Sequence, residues 1–292
     1  MRFIIPWPPG GGNDLVGRPV AAKLSQQLGK QFVVENRGGA AGVIGTEQVA
    51  KAAPDGYTLA LFSAALTMYS SLYETVPFDP VRAFTPIARV GSAPFVLVVH
   101  PSVPVNSVKD LVALAKQKPG QLSFNSVGSG SHLHIGSEFF KILAGIDIKI
   151  VQFKGGGPAQ TDLMGGHAQA AFLSLIAAAP AVKSGALKAL ATSGEKRTPV
   201  LPDVPTLAES GMPEYAMFNW WGVFAPAGTP APILTKLNTQ IRTALDTDDV
   251  KHGFDHHGVS ADYLGPADFR KFIDKESALY KDIITKGKIK VE

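Results

Sequence analysis

Short apolar, β-branched runs alternate with stretches of helical spacing along most of the chain. Residues 3–5, 32–34, 58–62, 95–99 and 122–125 read as strands. Between them, 43–53, 108–116, 135–143 and 158–164 repeat apolar positions at helical intervals, each preceded by Gly, Ser or Asn able to cap a helix. This alternation predicts an α/β fold with mixed, mostly parallel sheets and flanking helices. The pattern changes after residue 230, where 231–246 and 266–286 are long amphipathic helices with no strand expected between them. They read as a closing layer.

The proline-bounded run at 100–104 and the aromatic strand at 217–226 read as crossings between two lobes. One lobe then takes both termini, 1–100 plus 222–292, and the other takes 101–221. The sequence contains no internal repeat, and no low-complexity segment beyond the alanine-rich 177–181. A length of 292 residues exceeds what a single core usually serves, which agrees with two lobes.

Composition narrows the chemistry. With 45% apolar and 18% charged residues the chain is globular. It has no cysteine, which removes disulfides, thiolate metal sites and cysteine nucleophiles. The net charge of +4 is spread without a basic run, so no nucleic-acid partner is expected. Apolar stretches such as 172–182 are too short to cross a bilayer, and a soluble protein is expected. Met1 stands directly against the first strand, as expected of a mature chain whose secretion signal has been removed.

Three glycine-rich turns follow strands and open helices. In PWPPGGGND, residues 6–14, glycines allow close backbone approach and the helix start supplies free N–H groups, which suits an anion. Gly10 and Gly12 are spaced as in a dinucleotide fingerprint, but Leu15 takes the place of its third glycine and no lysine completes a P-loop. Pro19 either kinks this helix or delays its regular part to Arg18. In SVGSGSHLHIG, residues 126–136, the hydroxyls of Ser126, Ser129 and Ser131 form a possible carboxylate cradle. KGGGPAQTD, residues 154–162, repeats the arrangement with proline at the helix start. Each turn is also readable as an ordinary capped helix start.

Catalytic patterns are sparse. There is no G-x-S-x-G elbow, no H-E-x-x-H and no acid pair with helical spacing. Ser129 lies near His132 and His134, the basis of an alternative reading as a secreted hydrolase using Ser129 and His132. His252, His256 and His257 with Asp255 read as solvated rather than metal-binding, and Trp220 and Trp221 read as core or junction residues.

Taken together, PPGGGND, ENRGGAAGVIG at 35–45, PDGYTL at 54–59, SHLHIGSEFF, FKGGGPA, LPDVPTLAESG at 201–211 and WGVFAPAGTP at 221–230 resemble the extracytoplasmic solute receptors of tripartite tricarboxylate transporters, the Bug family. The likeness runs in consistent order from about residue 3 to about 285. It implies a two-lobed periplasmic binding protein of the Venus flytrap kind, with a ligand cleft between the lobes and no catalytic residue, cofactor or metal. The implied partners are a small carboxylate and the membrane permease subunits of the transporter, and a monomer is expected. By the same resemblance, Trp7, Pro9, Gly10, Gly11, Asn13 and Asp14 form one jaw. Ser126, Gly128, Ser129, Gly130, Ser131 and His132 form the other. Ser63, Ala64 and Ala65, then Gly156 and Gly157, then Ser174 and Leu175, line the remaining wall. Many relatives carry phenylalanine at the position of Trp7, His134 matches the usual histidine, and His132 falls at a variable position facing the site. The expected ligand is therefore an aromatic acid, slightly favoured, or a short aliphatic dicarboxylate. A ligand-sensing subunit for a membrane sensor kinase is the other reading of the same site.

Overall fold

The structure, a computed structural model, describes residues 1–215, 217–289 and 291. The three remaining positions, Ala216, Lys290 and Glu292, lie within the expected lobes but outside the described residues. The chain divides into two compact units, Met1–Ser92 with Trp220–Tyr280, and Ala93–Asn219 with Lys281–Glu292.

The first unit starts with β1 (Arg2–Ile5), α1 (Gly12–Leu28), β2 (Val33–Asn36), α2 (Val43–Ala50) and β3 (Thr58–Ser63). A 3-10 turn over Ala64–Met68, α3 (Tyr69–Leu72) and β4 (Phe84–Ala93) follow. In the second unit come β5 (Phe95–Val99), α4 (Val108–Gln117), β6 (Ser123–Ser126), α5 (His132–Ala144) and β7 (Lys149–Gln152). Then follow α6 (Gly156–Met164), β8 (Ala170–Ser174), α7 (Leu175–Lys183) and β9 (Lys188–Thr192). The chain returns through β10 (Asn219–Pro226) to α8 (Ala231–Leu245), α9 (Asp248–His256) and α10 (Pro266–Lys286).

The sheets have equivalent strand orders, β2-β1-β3-β10-β4 and β7-β6-β8-β5-β9. In the first, β1 pairs in parallel with β2 and β3, and β10 pairs antiparallel with β3. In the second, β6 pairs in parallel with β7 and β8, and β5 pairs antiparallel with β8 and β9, with a register shift between Leu97 and Val98. The antiparallel strand of the first sheet, β10, is thus supplied by the returning chain, whereas that of the second, β5, is the strand with which the chain enters its unit. All six residues of β3 are buried, as expected of a central strand covered on both faces.

The pairing of β5 with β8 and β9 puts residues 95–99 in the second unit, so the changeovers fall at 92/93 and 219/220 where the sequence suggested 100/101 and 221/222. Apolar run and crossing are distinct: Phe95–Val99 is fully buried because it is an inner strand, and the proline run after it is a loop. Residues 281–292 group with the second unit, against the expectation that the whole C-terminal region joins the first. A third helix, α9, lies between the two expected at the C-terminal end. Pro19 does not delay α1, which runs regularly from Gly12; the residues buried along it include Val16, Val20 and Leu24, one face at helical spacing. Among the described residues no helix is long and apolar enough to cross a membrane.

Candidate functional site

Because β2, β1 and β3 are parallel, the loops at their C-terminal ends share one edge of the first sheet, the usual place for ligand sites in α/β folds. The β1–α1 loop leaves the sheet at Pro6, and Pro8–Gly11 are exposed. Gly10 adopts φ +86°, where a side chain would strain the turn, and its N–H donates to Asp14 Oδ2 at 3.1 Å. The same oxygen accepts from Arg18 Nε at 2.7 Å, and Asn36 Nδ2 donates to Asp14 Oδ1 and to Trp7 O, both at 3.0 Å. Burial would raise the pKa of Asp14, but the hydrogen bonds from Arg18, Asn36 and Gly10 outweigh it and hold the carboxyl below its usual range. Asp14 therefore fastens the loop, and its buried carboxylate does not present itself as a ligand contact. Asn13 is similarly engaged, its Oδ1 accepting from Trp221 Nε1 at 2.9 Å. The indole of Trp221 stands 3.1 Å from where a Cβ on Gly12 would sit, so glycine there permits the approach.

Trp7, half-buried, joins Pro6, Thr46, Phe62, Ser63, Ala65, Leu66 and Tyr69 around a narrow cleft. Trp7, Ser63 and Ala65 are thus brought together, whereas Ala64 is fully buried and offers no surface. The β2–α2 loop, RGGAAG at 37–42, was not expected at the site, yet it lies on the same sheet edge, with Gly38 close against Pro8. Its signal in the sequence is the cluster of glycines, of which Gly39 and Gly42 adopt positive φ.

The second unit repeats this construction after β6, β7 and β8. Ser131 caps α5, its Oγ accepting from His134 N at 3.1 Å, while Gly130 N donates to His134 Nδ1 at 3.0 Å. The Gly130 N–H is therefore spent on holding the loop in shape, where the sequence suggested a ligand donor, whereas the Ser131 hydroxyl only accepts in this cap and keeps its own proton. His134 stands in α5 where Asp14 stands in α1, at the third helical residue, and both accept from the glycine preceding the cap. Burial lowers the pKa of His134, which keeps Nδ1 available as an acceptor. Gly155 N donates to Val127 O at 3.2 Å, tying the third glycine turn to the second. Ser129, Gly156, Gly157 and Ser174 are exposed on this edge, Gly128 is half-buried at φ +142°, and Ser126 is enclosed at the end of β6. Leu175 belongs to the apolar core with Val96 and Leu173 and lines nothing.

His132 is half-buried, its ring edge-on to Phe95 with centroids 4.9 Å apart. Burial depresses its pKa to about 3, against the opposing hydrogen bond to Asn219. The imidazole is neutral across the physiological range and is oriented by an amide rather than a carboxylate, which suits neither a charged clamp nor a general base near neutrality. Among the described residues no group of three His, Asp or Glu side chains is arranged to hold a metal ion.

Two α/β units of equivalent strand order, each carrying glycine-rich turns at one sheet edge, define a two-lobed solute-binding protein. Residues 16–289 match the family described as the tripartite tricarboxylate transporter family receptor, and the chain belongs to that family. It is a periplasmic solute-binding receptor, working with the membrane permease subunits of such a transporter. It is similar to protein BugT of Bordetella pertussis, at 37% identity over 97% of this chain and 88% of the relative. A Rhodopseudomonas palustris protein solved with adipate, Rpa4515, superposes with a TM-score of 0.85 at 33% identity, covering 99% of this chain and 97% of its own. MatC from the same organism, solved with bound malate, gives 0.79 at 29% identity, covering 97% and 98%.

Proposed function

We propose that the receptor captures a small carboxylate with the glycine-rich turns of its lobes and delivers it unchanged to the permease. The observation that carries this reading is the recurrence in each unit of fastened, open-faced glycine turns at helix starts: Gly11 in one and Gly157 in the other have nothing within 4 Å of a Cβ position. Helix starts and backbone N–H groups suit an anion without a buried cation. A short aliphatic dicarboxylate comes first among the candidates, because two relatives of the same fold are solved with adipate and with malate. An aromatic acid comes second, on the half-buried ring of Trp7 beside the cleft.

A thermal-shift panel of succinate, adipate, malate, benzoate, terephthalate and nicotinate tests this. A dicarboxylate present at a hundredfold excess over its Kd is expected to stabilise the protein by about 2.7 kcal/mol. A panel with no shift from any acid would remove the carboxylate reading.

A further inference from the structure

The first unit contains a buried carboxylate that the ligand turns do not use. Glu276 of α10 is 5% exposed and accepts from three elements: Trp220 Nε1 of β10, Tyr280 OH of α10 at 2.8 Å, and Thr67 Oγ1 of the 3-10 turn at 3.3 Å. Among the described residues, the charged group facing it is Arg89 of β4. That guanidinium is already engaged, with Nη2 2.6 Å from Asp262 Oδ2 and its plane over Phe272. Burial raises the Glu276 pKa to about 7, although Trp220, Tyr280, Thr67 and the charge of Arg89 all oppose the rise. The group therefore changes charge near neutrality.

Thr67 has one hydroxyl proton and two acceptors within reach, Ala64 O at 2.7 Å and Glu276 Oε2 at 3.3 Å. When Glu276 is ionised, both compete for it. When Glu276 is protonated, its own O–H can donate to Thr67 Oγ1, leaving the threonine proton wholly to Ala64 O. This turn carries Ala65 and Leu66 and begins at Ser63, the wall of the cleft beside Trp7.

We propose that Glu276 is a protonation-dependent positioning residue, which sets the Ala64–Met68 turn through Thr67 and makes the receptor hold its ligand more tightly when the carboxyl is neutral. The consequence for ligand affinity rests on the carboxylate reading above; the linkage of Glu276 to its network does not. Affinity changes tenfold for each unit by which ligand raises the pKa of the linked group, and a change of about three- to tenfold between pH 6 and pH 8 is expected.

The test uses the whole protein, with adipate and malate as probes. Tryptophan emission of the ligand-free wild type should show a transition centred near pH 7, reported by Trp220, that is absent in Glu276→Gln. Calorimetric affinity should fall from pH 6 to pH 8 in the wild type and stay at the acid value in Glu276→Gln. Thr67→Val should keep the optical transition and lose the pH dependence of affinity. The inference is overturned by an absent optical transition, by one that persists in Glu276→Gln, or by a pH dependence of affinity that survives in either variant. It is likewise overturned if the wild-type affinity is flat. Absence of binding by every carboxylate at both pH values, with the optical transition intact, overturns the carboxylate reading and supports the linkage.

Discussion

Asp14 and His134 solve the same problem with different chemistry. Each stands at the third residue of the helix after its sheet's first parallel strand, and each accepts the N–H of the glycine preceding the cap. A carboxylate beside an anion site would repel the ligand, and Arg18 at 2.7 Å offsets it; the neutral imidazole needs no such partner. His132 has a different consequence. Its folded pKa of about 3 lies below the ordinary histidine value, so the unfolded chain takes up a proton first as pH falls. Its contribution to stability is fully present above about pH 6.5 and is lost as pH falls toward 3. At pH 5 the loss reaches about 2 kcal/mol at most. Urea unfolding of wild type and His132→Gln should show the difference between the two stabilities changing by that amount from pH 8 to pH 5, and parallel curves would refute it. The glycines and serines of these turns were visible in the sequence. Which of their amides are already consumed by Asp14 or His134 was not, because that depends on a hydrogen bond closing across a turn.

At the scale of elements, close approaches explain why several glycines sit in strands and helices where they weaken local propensity. Gly222 in β10 is the sharpest instance, since a Cβ there would come within 2.3 Å of the Phe269 ring of α10 and 3.1 Å of Phe224. Neither ring is free to leave, as Phe269 is fully buried and packed edge-on to Trp220 with centroids 5.2 Å apart. Gly222→Ala is expected to destabilise the protein by roughly 2 kcal/mol through overpacking. Denaturant unfolding with an unchanged midpoint would refute that contact. Strands β1, β3, β5 and β10 were legible as apolar runs, and α4, α5 and α8 as amphipathic spacing. The edge strand β7 was legible only through the glycine-rich turn it precedes, because Lys149, Val151 and Gln152 are exposed in it and no apolar alternation survives. Helix α9 was hidden by its charged and histidine-rich composition; only Val250 and Phe254 are buried along it.

At the scale of the molecule, a receptor that holds one ligand with two lobes should lose it when either set of turns is blocked. Gly11→Val and Gly157→Val each place a side chain in open space at a negative-φ position, so neither should lower the melting temperature by more than a few degrees. Each alone should abolish the dicarboxylate-induced thermal shift. A full shift retained by either variant would assign binding to one lobe only. The sequence by itself determined the α/β class, the glycine-rich turns, the absence of cysteine chemistry and the family likeness, all of which depend on residue type and short spacing. Only the tertiary structure decided that β5 joins the second sheet and β10 the first, that Leu175 and Ala64 belong to cores, and that Glu276 meets Thr67 and Trp220. Those facts join residues far apart in the chain, and no local periodicity records which partner a buried group will find.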